Sequence, residues 1–129
     1  MKNFVFYFCF LLIIACKQNE NSNQKEFLNR KQAEIELEEA LVENIDPQNL
    51  PNTEVKFLND ETSAVKVAEK ILFKIYGEKN IAKQKPYKVY LIKEFWIVSG
   101  TLPEGFDGGT FLVILDKRNS RILKISHGK

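Results

Sequence analysis

The stretch 86–102, PYKVYLIKEFWIVSGTL, constrains the fold more than any other part of this chain. Apolar side chains recur on both sides of Lys93-Glu94, which is typical of two strands joined by a short turn. The glycine-rich segment PEGFDGG follows at residues 103–109 and is too long for a tight hairpin. We therefore predict an antiparallel hairpin whose second strand runs into an irregular loop.

Two more strands are predicted beyond this loop. Residues 110–116, TFLVILD, have the composition of a buried strand, and residues 122–126 complete the sheet after a turn over residues 117–120. Gly100, inside the second strand, predicts either a β-bulge or a close approach of another segment. Four consecutive strands form an antiparallel meander, and a bulge would bend it.

A helix is predicted immediately ahead of the sheet. Asn59 or Asp60 is placed to cap its start, and Gly77 is placed to end it. Its apolar residues recur at helical spacing: Ala64, Ala68, Ile71, Leu72 and Ile75. Helices followed by an antiparallel sheet indicate an α+β fold, with the helices packed on one face of a curved four-stranded meander, together forming a cone.

An acidic amphipathic helix and its linker are predicted over residues 26–49. Leu28, Ile35 and Val42 recur every seven residues and form a narrow apolar stripe. We expect this helix to dock on the flank of the domain rather than to form a dimer interface, because two heptads alone make only a marginally stable coiled coil. Residues 26–62 hold ten acidic and three basic side chains. This excess of negative charge indicates either a solvated helix face or a surface that matches the charge of a partner. The whole-chain net charge of +2 is too small to indicate nucleic-acid binding.

The first sixteen residues have the layout of a secretory signal. A short basic start precedes the apolar run FVFYFCFLLII, which is shorter than the roughly 20 residues a membrane span needs. Ile13-Ile14-Ala15-Cys16 resembles the lipobox of bacterial lipoproteins, in which the cysteine is acylated. We therefore expect a signal peptide at 1–15, a lipidated Cys16 with a flexible tether over 16–25, and the folded domain at 50–129. The acyl chains would anchor the protein in the lipid bilayer of the cell envelope, at the outer membrane. The sequence does not indicate whether the protein faces the periplasm or the cell surface.

Catalytic chemistry finds little support in this sequence. His127 is the only histidine, and both cysteines, Cys9 and Cys16, lie in the signal segment, so a Cys/His zinc cluster and a Cys–His dyad are excluded after processing. A serine triad around His127 would lack a nucleophile-elbow motif. The loop PEGFDGG lacks the Lys-Ser/Thr pair of a phosphate-binding loop. We expect a protein that is not an enzyme and that uses no metal and no cofactor.

Three segments resemble the bacterial immunity proteins with a nuclear transport factor 2-like fold, which belong to polymorphic toxin systems. They are ETSAVKVAEKILFKIYG, KPYKVYLIKEFWIVSGTLPEGFDGG and RILKISHGK. The most specific part of the match is the segment from Trp96 to Gly108-Gly109, and the terminal residues Ile125, His127, Gly128 and Lys129 also match. The resemblance covers about residues 50–129 and departs at Asn119-Ser120, where the family tends to have a glycine turn. It implies a cone-shaped domain that binds and neutralises a cognate toxin domain without catalysis.

The glycine loop and the open mouth of the sheet are the expected contact surface. Phe106, an aromatic residue flanked by charged and glycine residues, is typical of a binding hot spot, although it could equally pack beneath its own loop. Trp96 could line the mouth or serve as a core residue. The full candidate set is Tyr87, Trp96, Glu104, Phe106, Asp107, Gly108 and Gly109. An alternative function stays open, in which an envelope lipoprotein binds a small ligand inside the cone.

Overall fold

The structure, a computed structural model, describes residues 28–43 and 57–128. Its elements are α1 (Arg30–Val42), α2 (Glu61–Tyr76), α3 (Glu78–Ala82), β1 (Lys88–Ile92), β2 (Phe95–Ser99), β3 (Phe111–Asp116) and β4 (Ile122–His127). The strands form one antiparallel sheet in the order β1-β2-β3-β4, which confirms the predicted meander and the α+β class. The predicted signal peptide, the tether and Cys16 lie outside the described residues. None of the described helices is long and apolar enough to span a bilayer.

The second helix has the boundaries that its end residues predict. The Asp60 carboxylate accepts hydrogen bonds from the backbone N–H and the hydroxyl of Ser63, at 2.7 and 2.9 Å, and these bonds lower the pKa of Asp60. Gly77 ends the helix with a φ of 86°, in the left-handed region that glycine favours. Helix α2 is therefore capped at both ends by residues that its sequence supplies.

The predicted bulge lies elsewhere in the sheet. Gly100 follows the last residue of β2, and a side chain there would overlap the side chain of Gln84, so the close-approach alternative holds. The register shift occurs instead between Ile114 and Leu115, where β3 pairs with β4. Ser120 adopts a φ of 61° in the turn between these strands, so a serine occupies a left-handed position where glycine is favoured.

Helices cover both faces of the sheet, so the expectation that they share one face was wrong. Trp96 and Val98 of β2 pack in the cluster that includes α2, whereas Phe95 and Ile97 pack in the cluster that includes α1. Successive strand residues point to opposite faces. Every residue of β2 and β3 is buried, and a sheet with two apolar faces needs cover on both.

Helix α1 docks on the sheet, as predicted, but through a different stripe. Its buried residues are Ala33, Leu37 and Ala40, whereas Ile35 is 40% exposed and Val42 is also exposed. The two alanines let the helix backbone approach the sheet closely, with Leu37 between them. The Lys124 ammonium on β4 adds an ion pair with Glu36 of α1 at 2.9 Å. Of the seven-residue repeat, Leu28 packs against the cluster that includes α1, just ahead of the helix, whereas Ile35 and Val42 lie on its exposed side.

Candidate functional site

A cleft of about 440 Å³ lies between the helices and the glycine-rich loop, at the end of the sheet where β2 leads into β3. We call it the loop cleft. On the helix side it is lined by Tyr76, Asn80 and Lys83, and on the loop side by Leu102, Pro103, Phe106, Asp107 and Gly108. The remaining lining residues are Gln84, Gly109, His127 and Gly128, from the segments that converge at its base.

A buried glutamine holds these segments together. The Gln84 side-chain nitrogen donates to the Asn80 carbonyl and to His127 Nε2, each at 3.1 Å. Its side-chain oxygen accepts a hydrogen bond from the backbone N–H of Phe111 at 2.9 Å. The Gln84 side chain therefore bonds α3 to the start of β3 and the end of β4, and both of its amide protons are used. We call this arrangement the Gln84 clamp.

The clamp also determines which nitrogen of His127 carries the proton. His127 Nε2 must accept from Gln84, so the neutral ring carries its proton on Nδ1, which donates to the Gly128 carbonyl at 2.8 Å. The ring lies 4.9 Å from the Tyr76 ring, measured between centroids. Both ring nitrogens are thus engaged within the chain, Nε2 by Gln84 and Nδ1 by the Gly128 carbonyl.

Backbone contacts at the base of the loop explain several of the motif residues. A side chain at Gly109 would overlap the backbone of Gly128, whose N–H donates to the Thr110 carbonyl at 3.0 Å. The backbone N–H of Thr101 donates to the Gln84 carbonyl at 2.8 Å, which fixes the other end of the loop. These glycines have a structural role, because they let two strands meet beneath the loop.

Most of the predicted contact residues lie together on the loop. Phe106 is 61% exposed, so it does not pack beneath its own loop, and Glu104, Asp107 and Gly108 are exposed beside it. Gly109 lies at the base and is partly buried. Phe106, Asp107, Gly108 and Gly109 all line the loop cleft.

Two predicted contact residues lie apart from the loop. Trp96 is 7% exposed and its indole N–H donates to the Leu58 carbonyl at 2.9 Å, so it is a core residue and not part of the contact surface. Tyr87 is half-buried, with its ring edge-on to Phe111 and its hydroxyl donating to Glu69 at 3.0 Å. Burial, and then the Glu69 carboxylate, raise the pKa of Tyr87, which therefore stays a neutral donor.

The helix side of the cleft is not indicated by the sequence patterns. Gln84 lies in a polar connector, and nothing in its immediate surroundings signals a buried amide. Asn80 and Lys83 are three residues apart, as on one side of a helix, but the break at Gly77 separates them from Tyr76, so no single helical pattern indicates all three. Among the described residues, no group of three or more His, Cys, Asp or Glu side chains could hold a metal ion.

The sequence profile of the NTF2 fold immunity proteins matches residues 63–129 of this chain, from the first turn of α2 onward. The chain belongs to the NTF2 fold immunity protein family. The match includes the whole loop cleft and the Gln84 clamp. It also shows the nuclear transport factor 2-like α+β fold that the resemblance implied.

This immunity-family protein is also similar to two proteins of Escherichia coli strain K12. It is 31% identical to the uncharacterized protein YbbC over 86 residues, which are 66% of this chain and 67% of YbbC. It is 30% identical to the uncharacterized protein YhhH over 73 residues, which are 56% of this chain and 58% of YhhH. The chain thus spans about two thirds or less of these relatives. No solved structure matches it significantly.

Proposed function

We propose that this protein binds a cognate toxin domain and neutralises it by occlusion, without catalysis. The observation that carries the proposal is the match of residues 63–129 to a family of immunity proteins, because that segment contains both the sheet and the loop cleft. Membership of the family suggests toxin neutralisation, and an inhibitor that works by occlusion needs an exposed surface rather than reactive groups.

The loop of residues 103–109 is the part of the surface best suited to such contact. It presents an exposed aromatic residue, Phe106, and its two ends are fixed by Thr101 at one side and Gly109 at the other. A binding loop that is held in place before the partner arrives loses less conformational entropy on binding. Buried aromatic anchors commonly dominate the energy of protein interfaces.

We expect co-expression of this chain to restore the growth of cells that produce its cognate toxin domain. We expect Phe106→Ala to raise the dissociation constant of the purified complex about 30-fold, which corresponds to the roughly 2 kcal/mol of a hot-spot residue. Phe57→Ala is a matched control, because Phe57 is 64% exposed and its neighbour Leu58 bonds to Lys117 at the opposite end of β3. The control should bind like the unmodified chain. A toxin that kills cells equally with and without this protein would refute the proposal.

We also propose that the chain is a lipoprotein anchored in the cell envelope through Cys16. The support is the basic start, the short apolar run and the lipobox-like Ile13-Ile14-Ala15-Cys16. Several acyl chains on one residue make a stable anchor, since each buried methylene contributes about 0.8 kcal/mol.

Replacement of the acylated cysteine should release the protein from the membrane. We expect the chain produced with its own leader to incorporate labelled palmitate and to sediment with the outer membrane. Cys16→Ser should incorporate no label and should appear in the soluble fraction, whereas Cys9→Ser, within the apolar run, should behave like the unmodified chain. Equal labelling of the unmodified chain and Cys16→Ser would contradict the anchor.

A further inference from the structure

We infer that the loop cleft binds an aromatic side chain of the toxin domain that has a carboxylate beside it. This inference rests on the proposed function and specifies the chemistry of the partner's contact. It follows from three properties of the cleft: its walls, the state of its buried polar groups and the charge on its rim.

The walls of the cleft are largely apolar. Tyr76 stands on the helix side, and Leu102, Pro103 and Phe106 stand on the loop side. The volume of about 440 Å³ lies within the range of pockets that enclose small ligands, roughly 300–1,000 Å³, so one aromatic side chain and part of its backbone fit. Aromatic side chains bury about 150–250 Å² each and favour contact with other rings.

The polar groups at the base of the cleft are already occupied. Both protons of the Gln84 amide and both ring nitrogens of His127 bond within the chain. A polar small molecule that entered would lose its hydrogen bonds to water and gain few in return, which costs free energy. An apolar group loses nothing there, so the base of the cleft favours a hydrophobic anchor over a polar metabolite.

The rim supplies a positive charge. Among the described lining residues, Lys83 carries a positive charge and Asp107 a negative one, and Asp107 already interacts within the chain. The Lys83 side chain is exposed and has no hydrogen-bond or ion-pair partner in the described part of the chain. Lys79, one turn earlier on α3, is exposed but does not line the cleft, and the exposed Glu78 beside it carries the opposite charge, so the attraction rests on Lys83. A carboxylate next to the inserted ring would therefore be attracted to this side of the cleft.

A second copy of this chain carries a similar aromatic and acidic pair in Phe106-Asp107. Reciprocal exchange is disfavoured, because Phe106 forms a wall of its own cleft and cannot also fill the cleft of another molecule. A side chain of the toxin domain can fill the cleft without displacing Phe106 from its wall, so the toxin domain is the favoured occupant. The experiment must therefore also detect self-association.

Blocked tripeptides of defined sequence test the inference without the toxin. The full mature chain, carrying Cys16→Ser to keep it in solution, is titrated in amide NMR spectra with acetyl-Asp-Trp-Asp-amide, acetyl-Lys-Trp-Lys-amide and acetyl-Asp-Ala-Asp-amide. We expect the acidic tryptophan peptide to shift the amides of Gly108, Gly109 and His127, and to bind about threefold more tightly than the basic one at low salt. The alanine peptide should leave these amides unshifted.

Charge reversal at the rim provides the matched comparison. Lys83→Glu should invert the preference between the two tryptophan peptides. Lys66→Glu makes the same charge change on α2, about 15 Å before Tyr76 along the helix axis, and should leave the preference unchanged. Equal binding of the tryptophan and alanine peptides, a preference unaffected by Lys83→Glu, or a dimer that Phe106→Ala dissociates would overturn the inference.

The two proposals fail in different ways. If the acidic tryptophan peptide binds as expected and the toxin is not neutralised, the proposed function is wrong and the chemistry of the cleft stands. If the toxin is neutralised equally by the unmodified chain and by the double variant Phe106→Ala/Lys83→Glu, the proposed function stands and the inference about the cleft is wrong.

Discussion

Replacement of Gln84 by methionine is expected to lower the free energy of unfolding by about 3 kcal/mol, because it removes three hydrogen bonds and leaves a buried donor unpaired. Methionine has a similar length and keeps most of the apolar contacts, so the loss reports on the amide. The backbone N–H of Phe111 would lose its acceptor in a part of the core without access to water. An unsatisfied buried donor costs about 1–3 kcal/mol by itself.

Gln32→Met is the matched control for this substitution. Gln32 is a half-buried glutamine on α1 whose side chain makes one long bond, 3.4 Å, to Glu36. Urea denaturation of the control should show a change below about 0.5 kcal/mol. Amide exchange at Phe111 should accelerate in Gln84→Met and stay slow in Gln32→Met. If both variants unfold at the same urea concentration, the clamp does not stabilise the fold.

The clamp also shows which features of the site can be predicted from local sequence patterns and which cannot. The hairpin, the buried third strand and the capped helix each depend on neighbouring residues, so their periodicity predicts them. Gln84 bonds to partners 27 and 43 residues away, at Phe111 and His127. No local pattern marks a polar residue that becomes buried only when three distant segments meet.

Trp96 illustrates a different limit of the sequence. The alternation of side chains in β2 correctly places Trp96 and Val98 on one face of the sheet. It does not indicate whether that face is open or covered, because coverage depends on where α2 and Leu58 pack. The glycines and charges around Phe106 favour a surface loop, but they leave open whether the ring packs beneath that loop, and only its 61% exposure decides this.

The position of α1 leads to the second large expected effect. Leu37→Ala should lower the free energy of unfolding by about 3 kcal/mol, within the usual range for a buried leucine. Leu37 is 1% exposed and packs between Ala33 and Ala40 against the face of the sheet formed by Ile97 and Ile114, among others. Removal of its side chain would leave a cavity that the rigid sheet on the other side cannot fill.

Ile35→Ala distinguishes this packing from the heptad stripe that the sequence suggested. Ile35 is two residues away on the same helix and 40% exposed, so its truncation should cost less than about 1 kcal/mol in the same urea titration. Because α1 lies on the face opposite α2, both variants should leave the amide NMR signals of Gly108 and Gly109 unchanged. A larger loss for Ile35→Ala than for Leu37→Ala would mean that the helix is rotated and that the stripe, not the alanine face, meets the sheet.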